Sequence, residues 1–381
     1  MRKILLMLFS FQTIFANTTF VDQNNRFAIN LYNSFDNENL IYSPFSIYTA
    51  LSMVYPGSNG KTKKIMEEVL DFNPKTSSNS ANFGKVLKKL RKKMTIANGL
   101  FVDEDTSLLR NFSWQLKNYF STQAQKVPFK DDPKESTDII NKWIARNTEN
   151  TIKELLSEKV IDKYTRLVLV NTLLLKKKFL TPFSKVNTND QFFYPENLPS
   201  IKVPMMEKLA SYSYSETEDY QALTLPLEDE FSLTILLPKA PSSLSTIEKE
   251  LSTDFIHSIF ASSKKETVKV KLPKFKIEKS FNLNSALSAL GLSNLFSAGA
   301  NFSKINGKEN LAISQVEHKA LFELNESGIL ASAATAAVIG FTSAGPQEAT
   351  YNFTANHPFL FFIADTDHRL LFLGKFESPE R

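Results

Sequence analysis

The stretch Glu326-Ser-Gly-Ile-Leu-Ala-Ser-Ala-Ala-Thr-Ala-Ala337 constrains the fold more than any other. It carries no charge after Glu326, and every residue from Ala331 to Ala337 is Ala, Ser or Thr. Alanine favours helices, but the flanks argue for a strand. Ala320-Leu-Phe-Glu-Leu324, just before it, alternates as a strand does, and Val338-Ile-Gly-Phe-Thr-Ser-Ala-Gly-Pro346, just after it, ends in turn residues. The segment leaves one strand and runs out into a loop. Its small side chains would let it slide into the middle of a sheet buried on both faces. As a strand it would place Ile329, Ala331, Ala333 and Thr335 on one face, and Leu330, Ser332, Ala334 and Ala336 on the other. A charge there would be buried without a partner and would stall the entry.

A receiving sheet needs a large core. The chain has 381 residues, 42% of them hydrophobic and 32 of them Phe, enough for wide aromatic cores. There is no Cys, so disulfides, thiolate nucleophiles and Cys-type zinc sites are excluded. His257, His318, His357 and His368 show no metal-ligand spacing, so no metal or other cofactor is expected. No GxSxG elbow, P-loop or GxGxxG occurs, and no enzyme is expected. A net charge of +5 is too mild to imply nucleic acid.

Residues 1–16 have a basic start, an apolar run and a terminal Ala16, the pattern of a secretory signal peptide. Ser10, Gln12 and Thr13 interrupt the run, so a membrane anchor is not expected. A secreted, extracellular protein follows, with sequons at Asn17, Asn111, Asn301, Asn325 and Asn352. No composition break interrupts residues 17–381, which read as a single domain.

Helices are expected early and strands late, an α+β order. Val21 to Asn33 is an amphipathic helix, and Ser43-Pro44 caps and starts another. Lys85-Val-Leu-Lys-Lys-Leu-Arg-Lys-Lys93 has an apolar helical face and a basic one, the latter read first as solvated. Leu167-Val-Leu-Val-Asn-Thr-Leu-Leu-Leu175 is a strand buried on both faces, and its Asn171 must find partners there. Val203 to Pro238 reads as successive antiparallel strands, Val268 to Ile277 as one half-exposed strand, and Phe281 to Leu290 as a helix.

The Glu-x-Gly start followed by an Ala/Ser/Thr run resembles the reactive-loop hinge of the serpins. Asn39-Leu-Ile-Tyr-Ser-Pro-Phe-Ser-Ile47 is similar to their opening helix, and Asn356 to Phe362 and Leu371 to Lys375 to their closing strands. The resemblance spans Phe20 to Pro379. It implies three β-sheets with surrounding helices and an exposed reactive-centre loop over about residues 326–352. The hinge would comprise Glu326, Gly328, Ile329, Ala331, Ala333 and Thr335. Ser43, Ser46, Asn171 and His318 would form the polar shutter beneath the main sheet, and Lys274 with Glu326 the breach pair at its top. Phe179 stands where a Trp is usual, and Ile329-Leu330 where a small or hydroxyl residue and Glu are usual. The basic residues Lys85, Lys88, Lys89, Arg91, Lys92 and Lys93 resemble the glycosaminoglycan site of heparin-activated relatives.

The implied activity is suicide inhibition. A serine protease would attack the loop, form a covalent acyl complex and be trapped as the hinge enters the sheet. The scissile residue, sixteen positions beyond Glu326, is Thr342, giving the bond Thr342-Ser343 with Phe341 as the alternative. These residues suit elastase-like or chymotrypsin-like enzymes. A monomer with no nucleic-acid or membrane partner is expected. A non-inhibitory serpin acting as carrier or chaperone is the rival reading, with a hydrolase of unknown type third.

Overall fold

The computed structural model describes residues 19–35, 39–73, 79–157, 159–240, 242–331 and 348–379. Residues 1–16, Asn17, Ala333, Thr335, Phe341, Thr342 and Ser343 lie outside the described residues.

Thr19 starts α1 (Phe20–Tyr32) with a capping box, exchanging 3.2 Å bonds with Asp22. The short β1 (Leu40–Tyr42) leads to α2 (Pro44–Val54), whose N-cap Ser43 accepts the Ser46 amide at 3.2 Å. Every residue of α2 is buried, as its near-continuous apolar sequence requires. Next come α3 (Gly60–Val69) and α4 (Asn79–Leu90), which buries Phe83, Leu87 and Leu90 on one face. The next elements are β2 (Thr95–Asp103), α5 (Arg110–Phe120), β3 (Ala124–Val127) and α6 (Pro133–Asn147), the last capped by Asp132. They lead to β4 (Leu167–Leu174), buried throughout, and the two-residue β5 (Lys177–Lys178). An antiparallel run follows: β6 (Thr188–Phe193), β7 (Ile201–Glu216), β8 (Tyr220–Pro226) and β9 (Ser232–Pro238).

After α7 (Leu244–Glu250) and α8 (Thr253–Ser262), the expected strand Val268 to Ile277 is two. β10 (Lys264–Pro273) pairs with β7, and β11 (Phe275–Asn282) joins the other sheet. Lys274 turns the chain between sheets, and Phe275 beyond it packs on Phe322, Phe359, Phe361 and Phe376 at 4.4–5.7 Å. The helix expected over Phe281 to Leu290 starts three residues later, as α9 (Asn284–Leu287), and runs on as a wider π-type turn over Ser288–Leu292. Phe281 and Asn282 are held in β11, and Gly291, at φ +98°, breaks the helical path further on. The last elements are α10 (Ser303–Asn306), β12 (Gln315–Asn325), β13 (Gly328–Ile329), β14 (Tyr351–Thr354), β15 (Phe359–Ala364) and β16 (Leu370–Phe376).

The architecture is α+β, with two large sheets. One runs β1-β16-β15-β9-β8-β7-β10-β14, with β6 also on β7; the other runs β3-β2-β4-β12-β13-β5, with β11 also on β12. Three sheets are expected of the family; here two are continuous through the 16-residue β7, which pairs with β6, β10 and β8 along its length. The main core lies between the sheets and around α2, and a smaller one lies between the second sheet and α6, built on Phe101, Val127, Phe129, Ile140, Ile144, Val168 and Val170. Among the described residues no helix is long and apolar enough to cross a membrane.

Candidate functional site

The second sheet has a seam. β4 and β12 pair in parallel over only five positions, from Val168↔Gln315 to Thr172↔Lys319. Above Thr172 and Lys319 the two strands no longer pair with each other. At the top the gap is occupied by β13, which pairs antiparallel with Leu324 and Asn325 of β12 and with β5.

The chain reverses at Glu326-Ser327, and Gly328 enters the sheet with φ +141°. A Cβ at this glycine would lie 2.2 Å from the Lys177 carbonyl oxygen, so no other residue fits without moving β5. Ile329 is 1% exposed and packs into the main core. The Leu330 amide donates to the Glu323 carbonyl at 2.8 Å, and Leu330 itself takes the left-handed φ of +46°. The Asn325 amide Nδ2 donates to the Ala331 carbonyl at 2.9 Å, so this sequon asparagine is engaged in the hinge. The start of the expected exposed loop, Glu326 to Ala331, is therefore built into the sheet.

Glu326 is 6% exposed. Its carboxylate meets Lys274 Nζ at 3.0 and 3.1 Å and accepts from the Thr188 hydroxyl at 3.0 Å. Burial pushes this carboxyl up, but a backbone amide, Lys274 and Thr188 together outweigh it and hold it below the usual carboxylate range. The Glu326 carbonyl also accepts the Phe183 amide at 2.9 Å. Phe179, 4% exposed, stacks edge-on with Phe183 at 5.5 Å, and its amide donates to the Ser327 carbonyl.

Beneath the seam the structure brings Ser43, Ser46, Asn171 and His318 together, all fully buried. The Ser43 amide donates to His318 Nε2 at 3.0 Å. That leaves Nδ1 carrying the proton, which it donates to Asn171 Oδ1 at 2.6 Å. Asn171 Nδ2 donates to the Glu317 carbonyl at 3.1 Å, and the Ser43 hydroxyl donates to the Leu371 carbonyl at 2.7 Å. Burial pushes the His318 imidazole down to about 3, against a smaller upward pull from the Asn171 backbone. His318 is therefore neutral at physiological pH, and the cluster ties β4 and β12 to the start of α2.

The basic segment divides. Lys85, Lys88, Lys89 and Lys92 are exposed at the C-terminal half of α4 and just beyond it. Arg91 is half-buried and donates to the Ser121 carbonyl at 3.2 Å. Lys93 is bound at 2.8 Å to Glu230 and at 2.9 Å to the Asp229 carbonyl. The expected six-residue site is thus four free-standing lysines, with two cations committed within the fold.

Some neighbours of the site are not evident from sequence reasoning. Asn98 accepts from the Ser46 hydroxyl at 3.2 Å and lies directly opposite Asn171 in the ladder. A single amide inside the apolar strand Ile96 to Val102 is the same signal that marks Asn171. Lys177, buried beside Gly328, pairs with the Asp229 carboxylate. Asp229 and Glu230 both hold positive φ in a turn that grips Lys177 and Lys93 at once. Only the three-dimensional fold brings those four together.

Comparison with known proteins agrees with this geometry. The family model for serpin (serine protease inhibitor) matches residues 22–379. Human serpin B3 is 31% identical, covering 94% of this chain and 99% of its own. Human leukocyte elastase inhibitor is 33% identical, covering 93% and 98%. Serpin48, described as a highly specific serpin of the insect Tenebrio molitor, superposes with a TM-score of 0.85 at 27% identity over 95% of this chain and 98% of its own. Serpin B3 and the leukocyte elastase inhibitor are intracellular serpins, which overturns the secreted, extracellular location expected from residues 1–16. With a family model matched along nearly its whole length, a relative at 33% identity and the sheet architecture of a solved member, the chain belongs to the serpin family of serine protease inhibitors.

Proposed function

We infer that this serpin traps serine proteases of elastase-like or chymotrypsin-like specificity through the loop that follows Ala331. Serpins inhibit serine proteases by a conformational loop mechanism, with the protease as covalent target, and are not enzymes. The narrower specificity rests on the sequence: no Lys or Arg occurs from Glu326 to Asn356, so an acidic specificity pocket has nothing to hold. Thr342 suits a small pocket and Phe341 a deep apolar one.

The observation that carries the reading is β13. Gly328 and Ile329 already occupy the first positions of a new central strand between β12 and β5. The protease serine attacks the Thr342 carbonyl, the Thr342-Ser343 peptide bond breaks, and the amine of Ser343 leaves with a proton from the protease histidine. The acylated end stays joined to β13 and is free to follow it down the seam, carrying the protease along. Five rungs of β4–β12 pairing must part on the way. Released metastability drives the movement.

Leu330 favours the rival carrier or chaperone reading, since its left-handed backbone, uncommon for such a side chain, opposes smooth entry. Incubation with elastase-like and chymotrypsin-like proteases separates the two. A covalent band on a denaturing gel and a released peptide starting at Ser343 support inhibition at Thr342, and one starting at Thr342 moves the cut to Phe341. Cleavage with no covalent band, or complexes with trypsin-like enzymes alone, would defeat the reading. The exposed Lys85, Lys88, Lys89 and Lys92 support a further electrostatic contact with a heparin-like polysaccharide, made by the protein as a monomer.

A further inference from the structure

Next to His318 on β12, and pointing to the opposite face of the sheet, lies Glu317. It sits directly opposite Val170 in the five-rung ladder, on the face covered by α6 and the segment after it. Glu317 is 5% exposed. Its side-chain partner is a neutral amide: Asn282 Nδ2 donates to Oε1 at 2.6 Å. Asn282 also donates to Gln315 Oε1, so it is shared between two acceptors.

The charged groups on the elements packed there are either paired with one another or exposed to solvent. On β11, Glu278 is paired with Lys319 at 2.9 Å and with Lys276 at 3.5 Å. On β12, Lys319 also donates to the Glu154 carbonyl of the segment after α6 at 3.0 Å, and Glu323 lies nearer the top. The described charged side chains of α6, and of the segment after it as far as Lys163, with Lys153, Glu154 and Lys159 among them, are exposed. β4 offers no ionisable side chain, and none of these groups forms an ion pair with Glu317 among the described residues. A buried carboxylate without a cation is costly when charged.

We propose that Glu317 is a proton-operated latch on the seam: neutral, it holds the β4–β12 ladder shut, and ionised, it helps the ladder part. Parting the ladder exposes Glu317 to water, where its charge is no longer penalised. Burial pushes the carboxyl up to about 7, with the Asn282 bond pulling it part of the way back. The sign follows from linkage. A carboxyl raised in the native state stabilises that state below its unfolded pKa, and the contribution is lost as pH rises through the native value. His318 works in the opposite sense, so the effect is isolated by comparing variants.

The inference rests on the loop-insertion reading only for its consequence, not for its measurement. Wild type and Glu317→Gln are held at one elevated temperature at pH 6 and pH 8, and loss of native monomer is timed on a non-denaturing gel. The pH 8 to pH 6 rate ratio is expected to be about tenfold larger in wild type than in Glu317→Gln. Glu317→Leu, which removes the charge and fills the space, should give the same flattened profile and guards against a local fault in the Gln variant. Equal ratios in wild type and both variants would overturn the latch. Whether the lost monomer becomes an inserted form, a polymer or an unfolded chain bears only on the loop-insertion reading, so the two fail separately.

Discussion

His318 and Asn171 are joined by a 2.6 Å bond that is also a bond between strands, because the two residues are register partners in the parallel ladder. The proton lies on Nδ1, since Nε2 is occupied by the Ser43 amide. Replacing Asn171 by Ala leaves Nδ1–H and the Glu317 carbonyl without their side-chain partner. A loss of about 1–3 kcal/mol is expected. Because the seam must open for insertion, the expected outcome is a lower urea midpoint and a faster shift to polymer or inserted monomer on a non-denaturing gel.

The neutral state of His318 makes the fold sensitive to acid. Its native pKa, about 3, lies below the unfolded value, so its contribution is present above about 6.5 and is lost as pH falls toward the native value. Measured in a Glu317→Gln background, stability should fall by about 2 kcal/mol between pH 7 and pH 5. His318→Asn in the same background should remove most of that slope. Urea midpoints at the two pH values check it.

Lys274 is a third exposed while Glu326 is nearly buried. Lys274→Met strips the cation and leaves the carboxylate with Thr188 and a backbone amide. A loss of about 1–2 kcal/mol is expected, between the values for exposed and buried pairs. The carboxyl is held low in the native state, so the pair's contribution is present at neutral pH and fades as pH falls through the depressed value. The thermal midpoint of the variant should accordingly differ from wild type less in acid than at pH 7.

Gly328 and Leu330 should act in opposite directions. Gly328→Ala forces a Cβ against the Lys177 carbonyl and expels β13, so the covalent band with a target protease should weaken while simple cleavage of the loop rises. Leu330→Gly accepts the left-handed backbone without strain and should shift the partition toward the covalent complex. Gel quantification of complex against cleaved inhibitor measures both.

Alanine at Lys85, Lys88, Lys89 and Lys92 should abolish retention on a heparin column, and wild-type retention should fall as salt is raised. Lys93→Ala should lower the thermal midpoint instead, because that lysine holds the Asp229-Glu230 turn.

Local chemistry was legible in the residues themselves. Ser43-Pro44 reads as a helix start because a hydroxyl cap followed by a proline at the first helical position suits that place, and the helix begins there. Asn171 stands out because an amide inside an apolar strand needs partners. Long-range choices were less legible. Nothing in the alternation of Val268 to Ile277 says that Pro273 finishes one sheet and Phe275 begins the other. Phe281 and Asn282 look helical in sequence, yet pairing with His318 and Glu317 holds them extended. Lys93 looks like its neighbours until the β8–β9 turn arrives from more than a hundred residues away. The location was misread for a different reason, since a short apolar leader pattern is a local signal that the relatives contradict.

The seam also sets the timing of insertion. Between the last rung of β4–β12, at Thr172 and Lys319, and the bond from Leu330 to Glu323, the two strands are already apart. Residues that follow Ala331 would enter this open mouth at little expense and meet resistance only at Lys319. That rung is fastened twice, because the Thr172 hydroxyl donates to the Lys319 carbonyl at 2.9 Å in addition to the ladder. The zipper therefore has a loose throat and a stiff first tooth. A loop still tethered at both ends would stall at that tooth, and one freed by cleavage would gain the slack to pass it, so the moment of commitment belongs to the cut and not to the first touch of the protease.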